Sequence, residues 1–320
     1  MKVLLASHID PGAAAVLAQR YDVTWVAKAD PAGLAEAVID REAVVMRSGV
    51  QLTADVMAPA EDLRLVVRAG SGLDNIDLDF ARRHDVRVVR IPGMSAPPVA
   101  EFTFALLLAL ARKVALADRL LRDGLWPKSQ LGGALLHGKT LGIIGAGNIG
   151  GLVGQMGAAW GMRVLGSVES PNESVAQSLL GRGISLVDND HVLTESDFLC
   201  LHVPLNAATR HMIGRDQLRR MKPGSMLVNV ARGGVVAEAA LFEELTSGGT
   251  VVGAALDVHE AEGDRTISPF AALDNVVLTP HIGAMAVDTQ RLIGDRVVEL
   301  LCAYHQGQLD REVRDGERVV

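Results

Sequence analysis

Three short segments in the C-terminal third of this 320-residue chain carry charged or titratable side chains just past apolar runs. Met226-Leu227-Val228-Asn229 leads through Val230 and Ala231 to Arg232-Gly233-Gly234. Gly253-Ala254-Ala255-Leu256 leads to Asp257-Val258-His259-Glu260-Ala261-Glu262, and Val277-Leu278-Thr279 leads to Pro280-His281. An arginine is a forked, permanent cation suited to a carboxylate. Histidine takes and gives protons near neutral pH. Each segment follows a strand-like run, and ligands of open α/β sheets gather at the carboxyl ends of strands. Singly, such residues are ordinary turn and surface residues; their shared placement is what suggests a site.

A second signal lies upstream. Leu141-Gly142-Ile143-Ile144-Gly145-Ala146-Gly147-Asn148-Ile149-Gly150 sets G-x-G-x-x-G between a strand and a helix. Gly145 would allow the tight turn, Gly147 the approach of a diphosphate to the backbone, and Gly150 close packing of helix on strand. The diphosphate would rest on the free N–H groups and positive dipole end of the helix. Gly145, Ala146, Gly147, Asn148, Ile149 and Gly150 are therefore expected to hold a dinucleotide. Glu169, beyond the next strand, would accept from the ribose hydroxyls and repel a 2′-phosphate, favouring NAD over NADP. Val168 stands where that acid is usual, and a merely solvated Glu169 would leave NADP open.

These residues need elements to position them, and the sequence predicts two α/β series. In the first, β-rich runs at 2–7, 22–27, 43–47, 63–69 and 86–91 alternate with helical runs at 13–20 and 34–39. That alternation implies right-handed crossovers and a parallel, flavodoxin-like sheet. A long helix follows Pro97-Pro98, with an apolar stripe from Val99 to Leu110 and with Arg112, Lys113, Arg119 and Arg122 on its later turns. Residues 124–138 read as loop. The second series has strands at 140–144, 163–166, 198–202, 226–230, 251–256 and 276–279, with helices at 149–159, 215–221 and 238–245. A final helix covers 289–304. A nucleotide-binding half that starts in mid-chain implies insertion. A doubly wound Rossmann domain at 98–286 would interrupt a discontinuous substrate domain of 1–97 and 287–320, and the two crossings would form a hinge beside a ligand cleft.

Composition removes other classes. Apolar residues make up 49% and charged residues 22%, which excludes a disordered chain. A net charge of −7 argues against nucleic acid or an anionic membrane as partner. The longest apolar stretch, 102–111, is too short to span a bilayer, and the N-terminus reads as a strand with no export leader. Cys200 and Cys302 are too few for a disulfide scaffold or a zinc ribbon. No metal site is expected, and a reducing, cytoplasmic location is.

Taken together, these blocks resemble the D-isomer-specific 2-hydroxyacid dehydrogenases. Val67-Arg68-Ala69-Gly70-Ser71-Gly72-Leu73-Asp74-Asn75, Val99-Ala100-Glu101 and His202-Val203-Pro204-Leu205 extend the resemblance over nearly the whole chain. The phosphoglycerate dehydrogenase and glyoxylate/hydroxypyruvate reductase branches match best, through the 69–75 loop and the length. The resemblance implies NAD(P)-dependent hydride transfer between nicotinamide and a D-2-hydroxy or 2-oxo acid. It assigns His281 as general acid–base, Glu262 as the carboxylate that orients its ring and stabilises its cation, and Arg232 as the partner of the substrate carboxylate. Ala69, Gly70, Ser71 and Gly72 would bind that carboxylate through backbone N–H groups. His202, Val203, Pro204, Val230 and Ala231 would line the cofactor, with Asp257 accepting from the carboxamide and His281 beside the ring.

Some positions depart from the pattern. Gly263 replaces a usual proline, Glu260 lies two residues from Glu262, and Met94-Ser95-Ala96-Pro97-Pro98 replaces a segment with Asn-Ala. His259 stands where an aromatic is common and reads as a packing substitution. Arg82, Arg83, Arg87 and Arg90 read as a solvated face, the alternative being phosphate recognition. An L-specific lactate or malate dehydrogenase would open with its glycine loop, whereas formate and phosphonate dehydrogenases share fold and triad. A different class is an NAD(H)-binding sensor or corepressor with little turnover. The helix from Val99 and the arm through Trp126-Pro127 resemble a subunit-pairing segment, so a homodimer is expected, without an appended regulatory domain.

Overall fold

The computed structural model describes residues 1–26 and 30–320. It divides into two compact units, Met1–Ser95 with Met285–Val320, and Ala96–Ala284.

The first unit begins β1 (Lys2–Leu5), α1 (Pro11–Arg20), β2 (Asp22–Trp25), α2 (Pro31–Ala37), β3 (Ala43–Met46), α3 (Ala54–Met57), β4 (Leu65–Arg68), α4 (Leu78–Arg83) and β5 (Arg87–Arg90). Its five strands are parallel in the order β2-β1-β3-β4-β5, a flavodoxin-like winding. Every residue of β3 and β4 is buried, as expected of strands covered on both faces. Helices α1 and α2 start earlier than their apolar patterns suggest because Asp10-Pro11 and Asp30-Pro31 cap them. The carboxylates accept from Ala13 N at 3.0 Å and Gly33 N at 2.7 Å, with proline already in the helical φ. Ala27, the expected end of the second strand, lies outside the described residues.

The second unit contains α5 (Ala96–Ala111), α6 (Val114–Arg122), β6 (Thr140–Ile144), α7 (Asn148–Ala159), β7 (Arg163–Ser167), α8 (Glu173–Leu180), β8 (Ile184–Leu186), α9 (Asn189–Glu195), β9 (Phe198–Leu201), α10 (Arg215–Arg220), β10 (Ser225–Asn229), α11 (Glu238–Thr246), β11 (Val251–Leu256) and β12 (Val276–Leu278). The one long helix expected after Pro98 is two. Lys113, at φ 54°, turns left-handed between them, a conformation that ends an α-helix. The apolar stripe of α5 is buried against α7 and β10–β12, whereas α6 buries no residue. Elements α8, β8 and α9 carry no pattern in the sequence reading. They are short and are set by caps, Asn172 accepting from Val175 N and Asp188 from His191 N. All seven strands are parallel, ordered β12-β11-β10-β9-β6-β7-β8. Counted from β6, this is the Rossmann winding with one strand added, and its order reverses between β6 and β9.

The chain returns to the first unit as α12 (Val287–His305), which packs on α1, and α13 (Leu309–Glu312). Buried Arg296 pairs with buried Glu317 at 2.6 Å, and the last residues bond along β5 through Val319 N to Val88 O.

Candidate active site

The cofactor cradle forms at the reversal point. Gly145 leaves β6 at φ +94°, and a Cβ there would lie 2.6 Å from the His202 carbonyl oxygen. Only glycine lets the two loops meet so closely. The amides of Gly145 and Ala146 both bond to Ser167 O at the end of β7, at 3.1 and 2.8 Å. A Cβ at Gly150 would overlap the Gly145 carbonyl, so α7 rests directly on the turn. Exposed Gly147 has open space where its Cβ would be, and no side chain caps α7 there. A bare helix N-terminus under an open glycine fits a dinucleotide diphosphate.

Ile149 packs on the core behind the loop, while Asn148 is exposed. His202 leaves β9 with its amide on Ile144 O at 2.9 Å. Both its ring nitrogens are buried without a hydrogen-bond partner among the described residues, and burial pulls the pKa from 6.5 down to about 3. Val203 is half-buried and packs near Gly145, while Pro204 is exposed and accepts from Thr209 Oγ1 at 2.6 Å. Glu169 is exposed two residues beyond β7, after half-buried Val168.

The charged residues sit past three neighbouring strands of the same sheet. At the end of β10, the Asn229 side chain accepts from Ala231 N and donates to Arg232 O, both at 3.1 Å, which folds the turn presenting the Arg232 guanidinium. Val230 and Ala231 are buried beside it. At the end of β11, buried Asp257 accepts from Thr279 Oγ1 at 2.7 Å, Ile282 N at 2.9 Å and Gly283 N at 2.8 Å. Its carbonyl takes His281 N at 2.7 Å. His281 thus sits in a clamped turn after β12 with φ +54°, uncommon for a residue with a Cβ.

From that turn His281 Nδ1 meets Glu262 Oε2 at 2.9 Å. Glu262 Oε1 accepts the His259 amide at 3.2 Å. Burial pushes the Glu262 carboxyl up, but the bonds from His281 and the His259 amide outweigh it and hold the group below its ordinary range. An ionised Glu262 fixes the hydrogen on Nδ1 and leaves Nε2 to exchange a proton with a ligand. Arg232 is tied to this pair through its neighbour: a Cβ at Gly233 would overlap the His259 carbonyl, so the arginine turn lies flush against the turn that carries Glu262.

The 69–72 loop follows β4 in the first unit. Ala69 and Gly70 are buried, Ser71 Oγ lies 3.2 Å from Ser95 Oγ, and Arg90 Nη1 donates to Ser71 O at 3.3 Å. Two contributors escaped the sequence reading: Asn229 and Gly233. In the first unit, Arg47 follows buried β3; its amide bonds to Ser7 Oγ at 2.9 Å, and burial lowers its pKa.

With this geometry in hand, comparison places the chain. Residues 104–283, more than half of it, match the model of the D-isomer specific 2-hydroxyacid dehydrogenase, NAD binding domain. Hydroxypyruvate reductase of Thermotoga maritima is 44% identical over 260 residues, 81% of this chain and 83% of that one. D-3-phosphoglycerate dehydrogenase of Methanocaldococcus jannaschii is 38% identical over 314 residues, 98% of this chain; the chain spans 59% of that longer protein. D-lactate dehydrogenase of Aquifex aeolicus, solved with NAD and lactic acid, superposes with a TM-score of 0.86 at 29% identity, over 100% of this chain and 99% of that one. The chain belongs to the D-isomer specific 2-hydroxyacid dehydrogenase family. It is an enzyme of the oxidoreductase class, and 104–283 is its NAD-binding region.

Proposed function

We propose that this enzyme interconverts a small D-2-hydroxy acid and its 2-oxo acid with NAD(H), acting as a glyoxylate/hydroxypyruvate-type reductase. The Glu262–His281 pair, 2.9 Å apart at the edge of the NAD-binding sheet, carries the reading. Bound nicotinamide supplies or accepts the hydride at the hydroxyl-bearing carbon. In oxidation His281 Nε2 takes the hydroxyl proton as the C–H electron pair leaves with the hydride; in reduction it returns that proton to the carbonyl oxygen. Glu262 stays ionised, holds the ring's tautomer and stabilises its cation. Arg232 pairs with the substrate carboxylate and polarises the reacting oxygen.

Backbone amides of Ser71 and Gly72 bind the same carboxylate, beside Ala69 and Gly70. Asp257 accepts from the carboxamide: its own turn occupies three of roughly four carboxylate lone-pair sites, leaving about one. Gly145, Ala146, Gly147, Asn148, Ile149 and Gly150 would hold the diphosphate, with His202, Val203, Pro204, Val230 and Ala231 lining the cofactor and Glu169 meeting its ribose. A small substrate is supported by the hydroxypyruvate reductase, 44% identical where the phosphoglycerate enzyme is 38% identical. The reading includes a cytoplasmic homodimer with no nucleic-acid partner. Free Cys200 and Cys302 support a reducing compartment, the net charge of −7 disfavours nucleic acid, and the exposed apolar side chains of α6 support the dimer.

Oxidation of NADH and NADPH against glyoxylate, hydroxypyruvate, 3-phosphohydroxypyruvate, pyruvate and larger 2-oxo acids tests it. Turnover is expected with glyoxylate or hydroxypyruvate, faster with NADH. Cofactor binding without consumption on any of them would instead mark a sensor.

A further inference from the structure

His259 stands out as a polar ring the mechanism above does not use. Its Nε2 lies 3.0 Å from the Thr279 carbonyl oxygen. A carbonyl only accepts, so Nε2 carries the hydrogen and donates it; Nδ1 is buried with no hydrogen-bond partner among the described residues. The backbone of the same residue is equally engaged. Its amide holds Glu262 Oε1 at 3.2 Å, and its carbonyl abuts Gly233, next to Arg232. One residue therefore touches the turns of all three candidate catalytic groups.

We infer that His259 is a positioning residue, its ring N–H fixing the Thr279–Pro280 peptide so that His281 meets Glu262. The inference rests on the roles proposed for those two residues. The covalent path from Thr279 to the His281 imidazole is short. Holding the Thr279 carbonyl fixes a planar peptide unit. The next torsion, φ of Pro280, is locked by its ring. Only ψ of Pro280, φ of His281 and its two side-chain torsions then remain, and His281 adopts φ +54°, a conformation that needs support from outside the residue. Asp257 grips the turn at Thr279 Oγ1 and on its far side, at Ile282 N and Gly283 N. His259 alone among the described side chains orients the carbonyl just before Pro280. A phenylalanine at 259 could fill the same space but could not donate, so the packing reading of this position gives way to a directional one.

An isosteric pair separates the two. His259→Gln keeps an N–H donor at a similar reach; His259→Met keeps length and apolar bulk without it. With NADH and the best 2-oxo acid, His259→Met is expected to lose roughly ten- to a hundredfold in kcat, the scale of a misplaced catalytic group, with KM for NADH within about twofold, and His259→Gln to recover most of the loss. NMR of isotope-labelled histidine reads the His281 Nδ1–H···Glu262 hydrogen bond independently of turnover; its signal is expected in wild type and His259→Gln and lost in His259→Met. Equal kcat and an unchanged signal in both variants would overturn the inference while leaving the proposed reaction intact. Absence of turnover in wild type with the NMR pattern as described would sink the reaction and keep the positioning role.

Discussion

His202 hides an imidazole whose two nitrogens find no partner among the described residues, and burial lowers its pKa from 6.5 to about 3. Between those values the unfolded chain binds a proton that the folded chain refuses, so acidification favours unfolding. The contribution is whole above about pH 6.5 and declines as pH falls towards 3, by at most about 1.4 kcal/mol per unit. Urea midpoints measured across that window should fall more steeply in wild type than in His202→Phe; equal slopes would show the ring to be solvated. The placement of Arg232, Glu262 and His281 past strand ends was legible because each follows an apolar run. His259 was not, since no sequence states which ring nitrogen faces which carbonyl. Asn229 and Gly233 act through the backbone of their neighbours, equally invisible to residue type.

Elements show the same division. Strands β3, β4, β6 and β11 were legible because parallel strands covered on both faces read as unbroken apolar runs. The short α8, β8 and α9 were not: their existence is decided by caps and by edge pairing with β7, and three residues of β8 give no periodicity. The α5–α6 break was hidden because a left-handed Lys113 has no residue-type signature of the kind glycine gives. The contact between α7 and its loop leaves no room for a side chain at Gly150. Gly150→Val would drive methyl groups into the Gly145 carbonyl and Ile143 Cγ2, which a Cβ alone already approaches to 2.8 Å. Overpacking of this kind costs about 1–3 kcal/mol. Calorimetry is expected to show a lowered Tm, and titration a much weaker affinity for NADH; a variant that binds NADH as wild type does would detach the cradle from this loop.

The chain as a whole carries two parallel windings, 2-1-3-4-5 in one unit and an extended Rossmann order in the other, and both were readable from strand–helix alternation. No helix among the described residues is long and apolar enough to cross a membrane. On α6 and the segment after it, Val114, Leu121, Leu125 and Trp126 are 52–79% exposed, although each is apolar. We propose that a second copy of the chain covers these side chains. Sedimentation is expected to give about twice the 33.9 kDa chain mass, and about the single mass for a Leu121→Asp/Trp126→Asp double variant. A wild-type monomer would remove the dimer from the proposal.

The chemistry itself meets its plainest trial in His281→Ala, assayed with NADH and glyoxylate or hydroxypyruvate alongside wild type. Turnover is expected to fall roughly a hundredfold or more, the usual contribution of a general acid–base, while NADH still binds with near-normal affinity. Turnover at the wild-type rate in that variant would contradict the assignment of the proton to His281.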